Sequence, residues 1–263
     1  LEFLDAYYNN LLNQTDFIPG MEEFLSELIN QNIKWGIVTN KYQKYAKPII
    51  DGTILDTAGD LGSAANKLRN RRGLDSLDID LYRPEVSRGA RGMIHVALNK
   101  NWTDPDFEQI RLEFLDAYYN NLLNQTDFIP GMEEFLNELI GQNIKWGIVT
   151  NKYQKYAKPI IDGINLLNKH CSVLVCGDTT AHAKPHPEPV LHARKSLNFK
   201  GEETIYIGDD PRDIQSGYNA GCWTHGVNFF VENNKKPHLS EWGSDDFSTT
   251  VRELRNKLGL GLA

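Results

Sequence analysis

The sequence lacks the features that mark disulfide-rich, thiolate-metal, membrane-spanning and secreted proteins. Its 263 residues include three cysteines, too few and too irregularly spaced for a disulfide framework or a thiolate metal site. No apolar run reaches the ~20 residues that a membrane-spanning helix needs, and residues 1–12 lack the basic-then-apolar pattern of a signal peptide. These absences predict a cytoplasmic protein with no membrane partner.

A basic block is also missing. The formal net charge is -7, so nucleic acid is not an expected partner, and an anionic ligand would need a local cradle and a metal. The chain is 40% hydrophobic and 24% charged. A chain of this length and composition can bury one sizeable core and a smaller accessory lobe.

The first feature that is present is an internal repeat. Residues 1–50 recur as residues 112–161, and the copies differ at two positions, Ser26 against Asn137 and Asn30 against Gly141. Two nearly identical copies do not resemble a solenoid, whose repeats are more numerous and more divergent. They indicate a recent duplication or recombination, with an assembly artefact as the alternative. The chain also begins at Leu1 rather than at methionine, which suggests a fragment or trimmed product.

From Trp146 onward, predicted strands and helices alternate along the chain. The predicted strands are 146–150, 171–176, 204–207 and 223–227, and the predicted helices are 112–123, 132–142, 152–161, 188–197, 213–220 and 249–258. This alternation predicts an α/β fold with an open parallel sheet. Residues 58–110 contain helical patterns and no convincing strand, which predicts an all-α insertion.

Polar residues follow the predicted strands, where open parallel sheets bind their ligands. These candidate site residues are Asp51, Thr150, Asn151, Lys184, Asp209, Asp210 and Asp213.

They lie in four ordered motifs: Asp51-Gly52-Thr53, Ile148-Val149-Thr150-Asn151, Lys184-Pro185 with Pro187, and Gly208-Asp209-Asp210-Pro211-Arg212-Asp213. The set resembles the haloacid dehalogenase-like hydrolase superfamily, and its phosphoglycolate phosphatase-like group in particular. The resemblance implies a Rossmann-like parallel sheet with a small helical cap. The core would comprise residues 51–57 and 128–263, the cap would comprise 58–127, and residues 1–50 would not be a native domain start.

The resemblance also implies how the core residues act. A carboxylate nucleophile would form an aspartyl-phosphate, and Asp51 would act as general acid and then as general base. Thr150, Asn151 and Lys184 would bind the phosphoryl group. Mg²⁺ would be held by Asp51, Asp209 and Asp213, and Asp213 has orientation of Lys184 as an alternative role.

Two arginines of the predicted cap and two histidines near Lys184 complete the candidates. Arg88 and Arg91 are candidates for a substrate carboxylate, with solvated surface charge as the alternative. His182 and His186 flank Lys184, and we interpret them as polar surface.

The sequence departs from the resemblance at one decisive position. The nucleophile should lie two residues before Asp51, where this chain has Ile49. The apolar strand expected before Asp51 is also missing, because residues 42–50 repeat a predicted helix. Residues 35–39 are a candidate to fill the vacant strand position.

The sequence therefore predicts a phosphatase-family hydrolase for small phosphorylated metabolites, impaired by Ile49, and acting as a monomer or homodimer. The expected substrate resembles phosphoglycolate, with N-acetylmuramic acid 6-phosphate as an alternative. Two other readings stay open: a non-catalytic protein that binds phosphate and Mg²⁺, and a rearranged or artefactual chain.

Overall fold

The computed structural model describes residues 46–47, 52–201, 203–230 and 239–260, all within one compact unit, Asn40–Ala263. The described strands are β1 (Ala46–Lys47), β2 (Leu55–Asp56), β3 (Asp127–Phe128), β4 (Ile148–Val149), β5 (Leu174–Val175), β6 (Ile205–Gly208), β7 (Trp223–Val227) and β8 (Asp246–Ser248). The described helices are α1 (Ala58–Asn70), α2 (Ala90–Leu98), α3 (Phe107–Tyr119), α4 (Met132–Gly141), α5 (Gln154–Gly163), α6 (Asn165–His170), α7 (Glu188–Leu197), α8 (Pro211–Asn219) and α9 (Val251–Lys257). Shorter 3-10 turns cover Ile79–Leu81, Arg83–Arg88 and Leu239–Trp242.

The strands pair as the predicted α/β fold requires. Four of them form a parallel sheet in the order β1-β6-β7-β8, and β4 and β5 form a second parallel pair. Parallel neighbours need crossover connections. Helix α7 lies between β5 and β6 in the chain, and α8 lies between β6 and β7. The Rossmann-like α/β architecture predicted from the sequence is confirmed.

Three clusters of buried apolar side chains stabilise the described part of the chain, and the smallest includes residues of α7, β4, β5 and β6. The largest cluster joins the strands to the helices beside them, through residues such as Ile148, Ile207 and Leu136. The second joins α1, α2 and α3, through residues such as Leu68 and Met93. Full burial of a side chain of this size contributes about 1.5–3 kcal/mol.

The helical insertion predicted at residues 58–110 is confirmed. This stretch contains α1, α2 and the start of α3, and no strand lies between β2 and β3. The exact domain boundaries at residues 57 and 128 stay a prediction. Among the described helices, none has both the length and the apolar character required to cross a bilayer.

The strand position beside β6 is occupied, so the expectation of a vacancy there is wrong. Ala46 and Lys47 of β1 pair in parallel with Ile205 and Tyr206. The equivalent residues of the second copy lie inside helix α5. Either conformation satisfies the backbone polar groups, in one case through the neighbouring strand and in the other through the helix itself. Residues 35–39, our candidate for this position, lie outside the described residues.

Several short strands were not predicted, among them β2, β3 and β8. Residues 128–131 were expected to form only a turn, but Phe128 belongs to β3, which pairs antiparallel with β2. Strand β8 extends the sheet beyond β7. A strand of two or three residues is too short to show the alternation by which strands are predicted.

An interior strand of the sheet contains a buried histidine. The side chain of His225 in β7 is fully buried, and its Nε2 lies 2.8 Å from Ser248 Oγ of β8. Burial lowers the pKa of His225 to about 4 from its ordinary value of 6.5, against a smaller opposing effect of Asp246. The imidazole is therefore neutral in the folded protein at neutral pH.

We expect His225 to make folding stability depend on pH. Because its folded pKa is depressed, its contribution is complete above pH 6.5 and is lost as the pH falls toward 4. The loss amounts to about 2 kcal/mol at about pH 5. His225→Gln should remove this part of the pH dependence of urea unfolding, whereas His192→Gln, at an exposed site, should retain it. Equal pH slopes for the wild type and His225→Gln would contradict the assignment.

Candidate active site

The turn from β6 into α8 places three aspartates at one end of the sheet. Asp210 is the N-cap of α8 and accepts a hydrogen bond from Arg212 N at 2.9 Å. Asp213 Oδ2 accepts from Asp210 N at 3.2 Å, which completes a capping box. This local structure fixes the backbone just after Asp209.

Asp213 also forms a buried ion pair with Lys184. Lys184 Nζ lies 2.7 Å from Asp213 Oδ1, and both side chains are 4% exposed. The same ammonium donates to Val149 O at the end of β4, at 3.0 Å. Burial raises the pKa of Asp213, and the nearby charge of Lys184 opposes that rise. The loop that contains this lysine, residues 176–187 between β5 and α7, is called the lysine loop below. The ion pair connects the lysine loop with β4 and α8 at one point.

The end of β4 is held against the lysine loop by a reciprocal pair of hydrogen bonds. Asn151 Nδ2 donates to Lys184 O, and Lys184 N donates to Asn151 Oδ1, each at 3.0 Å. Thr150 is buried, and its Oγ1 accepts from Lys152 N at 3.0 Å. These contacts bring three of the predicted phosphate-binding residues together.

The start of the first motif packs against Asp209. Thr53 Oγ1 donates to Asp209 Oδ1 at 2.7 Å. Gly52 has φ +80, and a Cβ at this position would lie 2.0 Å from Asp209 Oδ2. Only glycine suits both the backbone conformation and the close approach. Asp51, the chain neighbour of Gly52, lies outside the described residues, as does Ile49.

The two cap arginines are placed on the exposed surface of the cap. Arg88 Nη1 pairs with Glu85 Oε2 at 2.8 Å, and the guanidinium of Arg91 lies 5.6 Å from the ring centroid of Trp102. The structure therefore gives both residues partners within the cap. Their role toward a substrate stays a prediction.

Sequence reasoning missed two other arginines, which connect cap and core. Arg212 Nη2 donates to Ser87 O of the cap at 2.9 Å, and its guanidinium also binds both carboxylate oxygens of Asp210. Arg83 pairs with Asp56 at 2.6 Å. Burial tends to raise the pKa of Asp210, but the hydrogen bonds and charge of Arg212 outweigh it and the net pKa is lowered. The position of Arg212 inside the fourth motif was the feature of the sequence that could have identified it as a candidate site residue.

The donor chemistry at this edge fits a hard cation such as Mg²⁺, which prefers oxygen ligands. Asp209 offers its carboxylate beside Gly52. Asp213 is engaged differently, because its Oδ1 meets Lys184 and its Oδ2 accepts from Asp210 N. This geometry favours the alternative role of Asp213, the orientation of Lys184, over metal ligation.

Lysine, threonine and aspartate side chains thus lie near the carboxyl ends of strands in a parallel α/β sheet, where open sheets of this kind bind ligands. The chain matches the model of the haloacid dehalogenase-like hydrolases over residues 1–50 and again over 49–227. It belongs to this family. The first copy of the repeat therefore matches the family model separately from residues 49–227.

Two similar relatives within the family are named as phosphatases. An N-acetylmuramic acid 6-phosphate phosphatase of Pseudomonas putida is 35% identical over 214 residues, which cover 81% of this chain and 95% of the relative. A phosphoglycolate phosphatase of Xanthomonas campestris is 37% identical over 172 residues, which cover 65% and 77%. By family, the chain is a phosphoric monoester hydrolase.

Solved structures confirm the fold. A predicted phosphoglycolate phosphatase from Haemophilus somnus aligns with a TM-score of 0.66 at 22% identity, over 83% of this chain and 99% of the other. CbbY from Rhodobacter sphaeroides in complex with phosphate aligns with a TM-score of 0.62 at 18% identity, over 83% and 100%.

The close approach of Gly52 to Asp209 yields a prediction with an internal control. Gly73 has a similar φ of +71, and a Cβ there would meet nothing within 4 Å. Gly73→Ala should cost about 1 kcal/mol through its left-handed backbone alone. Gly52→Ala should cost about 1–3 kcal/mol more in urea unfolding, because Asp209 must move. Equal losses for the two variants would contradict the close packing.

Proposed function

We propose that this chain binds small phosphomonoesters at the carboxyl ends of β4 and β6, and that its phosphatase turnover is impaired. The observation that supports binding is the buried contact of Lys184 with Asp213 and Val149, beside Thr150. The observation that supports impairment is Ile49, two residues before Asp51, where the family's nucleophile is expected.

Lys184 has the capacity to bind a phosphoryl oxygen. An ammonium group has three N–H donors, and the contacts with Asp213 Oδ1 and Val149 O use two of them. Within the part of the chain that the structure describes, no third acceptor contacts this ammonium group. Its third donor is proposed to meet a phosphoryl oxygen, and the positive charge would stabilise negative charge that builds there. Thr150 is the second phosphate ligand in this proposal, and Asn151 positions the lysine loop through its two hydrogen bonds.

Mg²⁺ is the proposed cofactor, with Asp209 and Asp51 as its carboxylate ligands. When bound, it would neutralise charge on the phosphoryl group. An isoleucine side chain has no lone pair to offer a metal, so this chain has one carboxylate fewer than the family arrangement. We therefore propose weaker Mg²⁺ binding than in an intact relative.

The proposed substrate is a small phosphomonoester that also carries a carboxylate. Phosphoglycolate and N-acetylmuramic acid 6-phosphate, which name the two relatives, share that chemistry. The longer alignment is with the sugar phosphate phosphatase, 81% of the chain against 65%. Arg88 and Arg91 are the proposed carboxylate ligands, because guanidinium binds a carboxylate at two points.

Restoring the nucleophile should restore turnover. We expect the wild-type chain to hydrolyse an aryl phosphate with Mg²⁺ very slowly, and Ile49→Asp to be faster by about 10³-fold or more, because a missing nucleophile costs several orders of magnitude. Ile50→Asp is the matched control, since it adds the same carboxylate one residue away, and it should give no gain.

Wild-type turnover comparable to that of an intact relative would refute the impairment. Equal rates for Ile49→Asp and Ile50→Asp would show that more than the side chain at position 49 has been lost.

A second candidate function, phosphate binding without catalysis, is favoured by the intact contacts around Lys184. A charge left unpaired after removal of one partner destabilises a protein by about 3–5 kcal/mol, so Lys184 and Asp213 are best replaced together. The double variant Lys184→Met/Asp213→Leu should bind inorganic phosphate at least about tenfold more weakly by calorimetry with Mg²⁺. Lys195→Met, at an exposed site, should bind as the wild type does.

Phosphate binding by a wild type that shows no turnover would support the binding function over the enzymatic one. Unchanged phosphate affinity in the folded double variant would refute Lys184 as a ligand.

A further inference from the structure

The loop between β5 and α7 contains side chains that the proposed phosphate site does not use. His182 and His186 are exposed, and Glu188 is the first residue of α7. One potential ligand atom from each of these three residues lies within 4.8 Å of the others. Two imidazoles and a carboxylate form a common donor set for transition metals.

The three side chains are already held together. His182 Nδ1 lies 2.8 Å from Glu188 Oε2, and Glu188 N donates to His186 Nδ1 at 3.2 Å. The two imidazole rings stack with centroids 4.2 Å apart. A ligand that binds this group therefore has little side-chain freedom to remove, which favours binding.

The backbone at each histidine is also fixed. Thr180 Oγ1 donates to His182 O, and Ser216 Oγ of α8 donates to His186 O, each at 2.8 Å. Between the two histidines, Lys184 is buried in its ion pair with Asp213. The loop thus presents both imidazoles from a backbone anchored at three points.

We propose that His182, His186 and Glu188 form a binding site for a divalent transition metal, with Zn²⁺ as the best-fitting ion. Zinc binds imidazole nitrogen and carboxylate oxygen at about 2.0–2.2 Å, which places neighbouring ligands about 3.3 Å apart. The His182–Glu188 contact at 2.8 Å would open by about half an ångström, a small movement for exposed side chains. Both histidines also line a surface cleft, together with Gln215 and Asn219.

The chemistry separates this site from the Mg²⁺ position. Mg²⁺ prefers all-oxygen ligands, so it should not compete for two imidazoles. Burial raises the pKa of Cys171 to about 12 and that of Cys176 to about 11, which makes their thiols poor competing ligands.

A metal at this site would act on the loop that positions Lys184. The two histidines lie two residues before and two residues after the lysine. Coordination by both would link the two sides of the loop and restrict its opening. Zn²⁺ should therefore raise the thermal stability of the chain as well as bind to it.

Calorimetric titration of Zn²⁺ into the full chain, with excess Mg²⁺ and no phosphate, tests the proposal. We expect saturable binding of one Zn²⁺ per chain, weakened at least about tenfold in His182→Ala/His186→Ala and in Glu188→Gln. His192→Ala, an exposed histidine on α7, is the matched control and should bind as the wild type does. Circular dichroism should show that all variants are folded, because the replaced side chains lie at the surface.

Absence of saturable Zn²⁺ binding would overturn the proposal. So would Zn²⁺ binding that the double histidine variant retains, since the ion would then be held elsewhere. The experiment contains no phosphate and no substrate, so its result is independent of the proposed phosphatase function.

Discussion

The buried ion pair of Lys184 and Asp213 is the contact on which the arrangement of this site depends. Neither charge could be buried alone without a large desolvation cost, and each of the two side chains is only 4% exposed. Lys184 comes from the loop after β5, Asp213 from the first turn of α8, and the carbonyl of Val149 from the end of β4. One ammonium group therefore fixes three separate segments, and the polar ends of the sheet converge because of it.

This convergence does not require the nucleophile. Gly52 and Thr53 pack against Asp209, and Asn151 holds the lysine loop, through contacts in which position 49 takes no part. If Ile49 replaces the reacting carboxylate, as we propose, these contacts between Gly52, Thr53 and Asp209 and between Asn151 and the lysine loop would be kept. The proposed loss of one reacting side chain would thus leave the hydrogen bonds and packing of these segments in place.

The sequence predicted the long, periodic elements well and the short ones poorly. Helix α7 and strand β7 match their predicted bounds of 188–197 and 223–227, since each lies between clear turn signals. Strands β2, β3 and β8 were missed because two or three residues show no periodicity. Of the site, the motifs located Thr150, Lys184, Asp209 and Asp213. The contact of Arg212 with Ser87 was beyond reach, because it depends on how the cap meets the core.

The duplicated segment shows most clearly why local sequence is insufficient to predict secondary structure. Ala46–Lys47 form a strand and Ala157–Lys158 lie in a helix, although identical residues surround them. The proline that follows each lysine disfavours helix for the residue before it, yet α5 includes Pro159. The choice is therefore made by the neighbours in space: β6 offers backbone partners to the first copy, whereas buried Ala157 and Ile160 anchor the second in the core. The first copy therefore contributes strand β1 to the sheet. It does not supply the carboxylate expected two positions before Asp51, because the residue there is Ile49.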